Sequence, residues 1–319
     1  MISSAGRRAL LVTILATASG LASATERTYL KIVVPFSAGG ITDQTARMLA
    51  DKMASQLGQA IIIENRPGGG SRIGIEAVAK AAPDGMTLLF TNISYSILPV
   101  IEPNVPFDPM TGLTPVTTAA VYGLGIVTNN NVPAKSLPEF IQYARKHPGK
   151  LNYGSAGPGS GAHFAGEFFK SLSGTDLVHV PYRSTSQALA DVAAGVLELA
   201  FDASVKPYVD AGKVKLLAVT GSERDPRFPN VPTAVESGLP NFVQVSWLGF
   251  LAPPATSPSV VERIGKAANL ALRDVALRTR MQSMGLTPQS STPEQFSQQI
   301  RSDIATYRKI AAESKLKFE

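Results

Sequence analysis

Lys31-Ile-Val-Val-Pro-Phe-Ser-Ala-Gly-Gly-Ile-Thr-Asp43 is the stretch on which the reading of this chain turns. Its first four residues suit a buried strand, and the proline and glycines that follow break that strand. Beyond the break Ala46, Leu49, Ala50, Met53 and Leu57 recur at helical spacing on one face. Gly58 then closes the helix as a C-cap glycine, and residues 60–64 read as a buried second strand. Strand, glycine turn, helix and strand in that order open an α/β layer. The turn also carries chemistry: glycines let backbone N–H groups approach a ligand, and a helix N-terminus adds partial positive charge, which suits a carboxylate or phosphate. A plain turn, with Asp43 capping its own helix, accounts for the same residues.

Outward from this unit the alternation continues. Residues 65–70 are a turn, 73–82 a helix, 83–85 a break and 87–90 a third strand, followed by an irregular proline-rich stretch, 99–115. Residues 122–128 read as a strand, and Ser136-Leu-Pro-Glu139 is a capping box opening a helix to about His147. Strands are expected at 151–154, 177–180, 198–201 and 215–220, with helices at 161–173, 185–194 and 203–211 between them. An apolar strand over 244–252 holds the single tryptophan, Trp247, and leads into helix to the end of the chain. There Thr292-Pro-Glu-Gln295 caps a helix whose inner face is Phe296, Ile300, Ile304 and Tyr307. The first β series has few covering helices of its own, so the C-terminal helices are expected to return to it. The result is an α/β fold with mainly parallel sheets, in two lobes joined by two crossovers with a cleft between them. The expected lobes are residues 25–127 with 247–319, and residues 128–246.

Residues 1–24 read as an address. Arg7 and Arg8 precede an apolar run over 9–18 and then Ala22-Ser-Ala24, the order that secretory signal peptidase requires, with cleavage after Ala24. That apolar run is shorter than the roughly 20 residues a bilayer span needs. Of the 319 residues, 295 then remain, and the formal charge of +6 falls to +4 with 28 basic and 24 acidic side chains. Lys and Arg are scattered rather than clustered, which excludes a nucleic-acid footprint. The chain has no cysteine, so disulfides, thiol catalysis and thiolate metal sites are excluded together.

A second glycine loop, Tyr153-Gly-Ser-Ala-Gly-Pro-Gly-Ser-Gly-Ala-His163, again lies between a strand and a helix. Its glycine density exceeds what a turn needs, and Ser155 and Ser160 add hydroxyl groups. Gly157-Pro-Gly159-Ser-Gly-Ala162 satisfies a dinucleotide fingerprint with Asp176 downstream, but it does not open a first βαβ unit, and no Lys follows as a Walker-type loop requires. A hydrolase triad of Ser155 or Ser160 with His163 and Asp202 lacks the G-x-S-x-G setting. Only His147, His163 and His179 are present, without acids at ligand spacing, so no metal site is expected. His163 is placed either for ligand contact or for a structural bond to the loop.

Nine short motifs follow one another in order: the 35–43 loop, Glu64-Asn-Arg-Pro-Gly68, Ala79-Lys-Ala-Ala-Pro-Asp-Gly85, the 154–163 loop, Val180-Pro-Tyr-Arg183, Phe201-Asp202, Leu217-Ala-Val-Thr220, Pro229-Asn-Val-Pro-Thr233 and Ser246-Trp247. Together they strongly resemble the Bug receptors, the extracytoplasmic solute-binding proteins of tripartite tricarboxylate transporters, over essentially the whole exported chain. The resemblance implies a periplasmic-binding-protein-like clamshell, a Venus flytrap, that closes on a small organic acid, often with one carboxylate held by both glycine loops and by ordered water. Carried onto this sequence, the contacts implied are Phe36, Ala38, Gly39, Gly40 and Asp43 from one lobe. The other lobe would offer Ser155, Gly157, Ser160 and His163, with Tyr182 and Asp202 lining the cleft or serving as a packed ring and a helix cap. Ile41, Ser184 and Ser71-Arg72 depart from the pattern. An apolar Ile41 would narrow the cleft and Arg72 would meet a second carboxylate, or both are packing and surface changes.

The expectation is a periplasmic receptor, not an enzyme and without cofactor, that delivers a di- or tricarboxylate, acidic amino acid or aromatic acid to a permease of large and small membrane subunits. Use of the same cleft as a ligand-loaded partner of a sensor kinase is the first alternative, and a secreted hydrolase the second.

Overall fold

A computed structural model of the chain describes residues 29–102 and 104–318. The expected export segment, residues 1–24, lies outside the described residues. The strand that opens the reading is Tyr29–Val34 (β1), its helix Ile41–Leu57 (α1), and the next strand Ala60–Asn65 (β2). Gly58 ends α1 in the left-handed conformation at φ 65°, as a C-cap glycine does. Arg72–Ala79 (α2), Thr87–Asn92 (β3), Ser94–Ile101 (α3) and Thr114–Gly123 (β4) complete the first passage through one lobe. Gly125–Asn129 (β5), Leu137–Arg145 (α4), Leu151–Ser155 (β6), Gly161–Ser173 (α5), Leu177–Pro181 (β7), Thr185–Ala194 (α6), Leu199–Asp202 (β8), Lys206–Asp210 (α7) and Val214–Val219 (β9) build the other. The chain returns through Val245–Ala252 (β10), then Pro258–Ala271 (α8), Val275–Ser283 (α9), Thr287–Pro288 (β11) and Pro293–Glu313 (α10).

Among the described residues two sheets result, ordered β11-β4-β10-β3-β1-β2 and β7-β6-β8-β5-β9. They are mixed rather than mainly parallel. β1 runs parallel to β2 and β3, and β6 to β7 and β8, but β5 and β10, the strands that arrive from the opposite lobe, lie antiparallel to both their neighbours. A strand entering from across the cleft points the other way from those that start within the lobe. β2 pairs only with β1, so it is an edge strand of half-exposed residues and not the buried strand its composition suggests.

Residues 122–128, read as one strand, are the end of β4 and most of β5 in different sheets, with Leu124 the step between lobes. The stretch 99–115 is not wholly irregular: α3 continues through Pro99 because residues 94–99 are all buried, and tertiary packing outweighs one lost amide. Helix 203–211 shrinks to α7, because the Asp202 carboxylate accepts from Ser204 N and holds a turn first. The capping box at Ser136 is half formed, since Glu139 accepts from Lys135 N rather than from Ser136 N. The one at Thr292 is complete.

The C-terminal helices do return to the first sheet: α8 packs on α1 and β4, and α10 on α3 and β4. Trp247 sits edge-on to Phe296 at 4.8 Å and donates from Nε1 to Asp303 Oδ2 at 2.8 Å, fastening β10 to α10. Both crossings between lobes are tied by one buried side chain, Thr220. Its Oγ1 accepts from Leu124 N at 2.9 Å and donates to Gln244 O at 2.7 Å. The Thr220 backbone adds a bond from its N–H to Leu124 O and one from Gln244 N to its carbonyl.

Candidate functional site

Four helices begin at the gap between the lobes. In the first lobe α1 starts at Ile41 after Gly40, and α3 at Ser94 after Ile93. In the second, α5 starts at Gly161 after Ser160, and α6 at Thr185 after Ser184. All eight residues line one cavity. Each helix end presents unsatisfied N–H groups and about half an elementary charge, so the four ends converge on a place where negative charge is favoured. Gly40 brings no side chain to cap α1, which leaves the first amides of that helix without a capping partner. In the other three, Asn92 Oδ1 accepts from Ser94 N at 2.9 Å, Ser160 Oγ from His163 N at 3.2 Å and Ser184 Oγ from Gln187 N at 3.4 Å.

Phe36, Tyr122, Leu124 and Phe201 supply apolar and aromatic wall, and Thr42, Gln244 and Ser246 further polar groups. Among the described residues, none that lines it carries a charged side chain. Burial pushes the Tyr122 phenol up to about 12, so it stays a neutral hydroxyl. The cavity holds about 50 Å³, room for a few waters. The lobes touch around it: Gly161 N donates to Ser94 Oγ at 3.2 Å, and Ser37 Oγ donates to Arg183 O at 3.3 Å.

Of the residues singled out from the sequence, Phe36, Gly40, Ile41 and Ser160 line this cavity. Ala38 and Gly39 are exposed at the outer side of their turn. Asp43 is buried beneath the first loop, where its carboxylate accepts from Gly39 N at 2.9 Å, from Asn65 Nδ2 at 2.9 Å and from Arg47. Burial works to raise its pKa, but the bonds from Arg47, Gly39 and Asn65 outweigh that and hold it below the ordinary carboxylate value. Asp43 therefore fixes the loop.

The second loop is held in the same manner. Ser155 is fully buried, accepts from Gly157 N at 3.0 Å and pairs with His179 Nε2 at 2.6 Å. His163 Nδ1 accepts from Gly159 N at 3.4 Å, and its ring stacks on His179 at 4.3 Å. Ser155 thus finds His179 rather than His163, and the Asp202 carboxylate is turned to Ser204 and Thr185, so no relay of the three forms. Burial raises the Asp202 pKa. Gly157 adopts φ 94°, and Tyr182 donates from its hydroxyl to Asp191 at 2.7 Å. Arg72 lies away from the cavity beside Glu76 and Glu102.

Ser184, a departure from the family pattern, also lines the wall, as do Thr42 and Ser246 from the quoted motifs, and Asn92, Ser94, Tyr122, Thr185 and Gln244, which no motif contains. Asn92-Ile-Ser94 repeats, after β3, the step from apolar strand to polar turn to helix seen after β1, and that repetition was a usable signal. Gln244 and Ser246 reach the wall only because the return crossing lies beside the outgoing one.

The family model described as tripartite tricarboxylate transporter family receptor matches residues 45–316. BugT of Bordetella pertussis (strain Tohama I) is 31% identical over 313 residues, covering 96% of each chain. The solved structure of the periplasmic binding protein BugD is similar at a TM-score of 0.88 and 29% identity, over 91% of this chain and 99% of that one. MatC from Rhodopseudomonas palustris, with bound malate, is similar at 0.85 and 33% identity, over 88% of this chain and 98% of that one.

Proposed function

This chain belongs to the tripartite tricarboxylate transporter receptor family, and from that premise we propose that it captures a small organic carboxylate in the periplasm and delivers it to a permease of large and small membrane subunits. The observation that carries the ligand class is the meeting of four helix N-termini, two from each lobe, on a cavity with no charged side chain in its wall. Backbone amides hold a carboxylate without burying an ion pair, which keeps capture reversible. The malate in MatC is consistent with that class.

With the lobes in contact the cavity of about 50 Å³ has room for only a few waters, so entry of a di- or tricarboxylate requires the lobes to part. The crossings tied at Thr220 are the hinge for that motion, and contact of both lobes with one anion favours the closed form. Phe36, Gly40, Thr42, Ser94, Ser160 and Thr185 are the contacts expected, and Ile41 limits the girth of the ligand. Residues 1–24 direct export and are removed after Ala24, so the periplasmic protein should begin at Thr25 on N-terminal sequencing.

A thermal-shift screen of the purified protein over dicarboxylates, tricarboxylates, amino acids and aromatic acids tests the reading. A ligand at 100 times its Kd stabilises by about 2.7 kcal/mol. Absence of a response to every acid would sink it.

A further inference from the structure

Two oxygens in the wall of the cleft are buried without a hydrogen-bond partner, Gln244 Oε1 and Ser246 Oγ. Both side chains line the cavity and both are 2% exposed. The Gln244 carboxamide cannot be turned over: Nε2 donates to Gly161 O at 2.8 Å, and reversal would set two carbonyl oxygens against each other. Oε1 is therefore the free end, and it can only accept. The Ser246 hydroxyl lies beside the Tyr122 phenol but outside hydrogen-bonding geometry.

Several other polar side chains of the wall already have partners, and the Thr42 and Tyr122 hydroxyls can donate as well as accept. Asn92 accepts from Ser94 N, Ser94 Oγ from Gly161 N, and Ser160 and Ser184 cap their helices. Thr185 faces the Asp202 carboxylate. Four helix ends in this cavity favour a negative oxygen, whereas Gln244 Oε1 requires a donor, and a carboxylate has none. An ammonium donor would enter a cavity with no acidic side chain in its wall and four positive helix ends around it. A hydroxyl donates without that charge.

We infer that the ligand is a carboxylate bearing a hydroxyl group, and that Gln244 reads the hydroxyl by accepting a hydrogen bond from it, with Ser246 donating to the same oxygen. The inference rests on the carboxylate reading above and narrows it. Its test is a calorimetric comparison of matched pairs, malate against succinate and lactate against propionate, each hydroxy acid also being compared with its amino analogue, aspartate or alanine. In the purified protein each hydroxy acid that binds should do so roughly 10-fold or more tightly than its deoxy partner, and more tightly than the amino analogue. In Gln244→Met the advantage over the deoxy acid should fall below about 3-fold, a ratio that loss of the Nε2 bond to Gly161 O, which weakens both acids alike, does not alter. Equal affinity within the pairs in the unaltered protein overturns the inference without recourse to any variant. An undiminished preference in Gln244→Met, whether or not both acids weaken together, also overturns it, because Gln244 would then only hold the cleft. Failure of every acid to bind removes the carboxylate reading itself, a result distinct from carboxylates binding without regard to the hydroxyl.

Discussion

Ser94 Oγ accepts a hydrogen bond from Gly161 N at 3.2 Å, joining the first residue of α3 in one lobe to the first residue of α5 in the other. A serine hydroxyl thus occupies an amide that an anion entering the cleft would also seek. The same bond helps to hold the lobes together. A neutral hydrogen bond contributes about 1 kcal/mol. Ser94→Ala should therefore shift the unliganded protein toward the open form by roughly 5-fold. A larger radius of gyration by small-angle scattering is the expected reading, and an unchanged one would deny Ser94 this part.

Gly70 allows the lobes to meet. A Cβ placed there would lie 1.8 Å from Pro158 O in the second lobe, and the residue has φ 57°. In Gly70→Ala the left-handed backbone costs about 1–2 kcal/mol, a modest loss of Tm. Closure should suffer far more, with ligand affinity falling at least about 10-fold for the loss of some 1.4 kcal/mol of interlobe contact. Titration of the folded variant with a bound acid checks this, and wild-type affinity would show that closure does not need the contact.

Thr220→Val keeps the shape of the side chain and removes the hydroxyl that serves Leu124 N and Gln244 O. Both groups are left buried and unpaired, at about 1–3 kcal/mol each. The urea midpoint should drop accordingly. If it does not, water has replaced the hydroxyl and the hinge is looser than the geometry indicates.

His163 is 1% exposed, and burial and then Lys170 push its pKa down to about 4. His179, stacked on it, is lowered to about 4 as well, by burial and by His163 and Lys170 against the opposing pull of Glu167. Both rings are neutral when folded at pH 7. An unfolded histidine titrates near 6.5, so the stability these rings give is complete above that value. It is lost as the pH falls from about 6.5 toward 4, at up to about 1.4 kcal/mol per unit for each ring. Stability measured by urea at pH 7, 6 and 5 should decline, and His163→Gln should flatten the slope.

Asp43 responds in a lower window. Its bonds hold the folded pKa below the ordinary carboxylate value, so its stabilisation is present above about pH 4 and is lost as the pH falls through the depressed value. Asp43→Asn should cost about 1–3 kcal/mol at pH 7, and the gap from the unaltered protein should close on acidification. A gap that persists at pH 2 would assign the loss to shape rather than charge.

Most elements were legible because their signals are local. The helical face of Ala46, Leu49, Ala50 and Met53 is buried along α1, and Phe296, Ile300, Ile304 and Tyr307 are buried along α10. The ends of α5 and α6 fall where the sequence placed them. Misreadings arose where a distant partner decides. Composition cannot tell that β2 has a neighbour on one side only, or that the chain changes sheets at Leu124. Burial carried Pro99 through a helix.

The site divides along the same line. By itself the sequence determined that two glycine loops lie between strands and helices, and that the helix ends they open would favour an anion, because turns, caps and helix dipoles depend on residues a few positions apart. Only the tertiary structure decided which atoms are left over for a ligand. Asp43, Ser155 and His163 are taken up in holding their own loops, Asp43 with Arg47 and Asn65 and Ser155 with His179. Ser94 and Gln244, by contrast, meet Gly161 across 67 and 83 residues of chain. A hydrogen bond is directional and saturable, so its partner is fixed by where the two crossings and the sheet pairings bring distant segments together, and no local pattern contains that information.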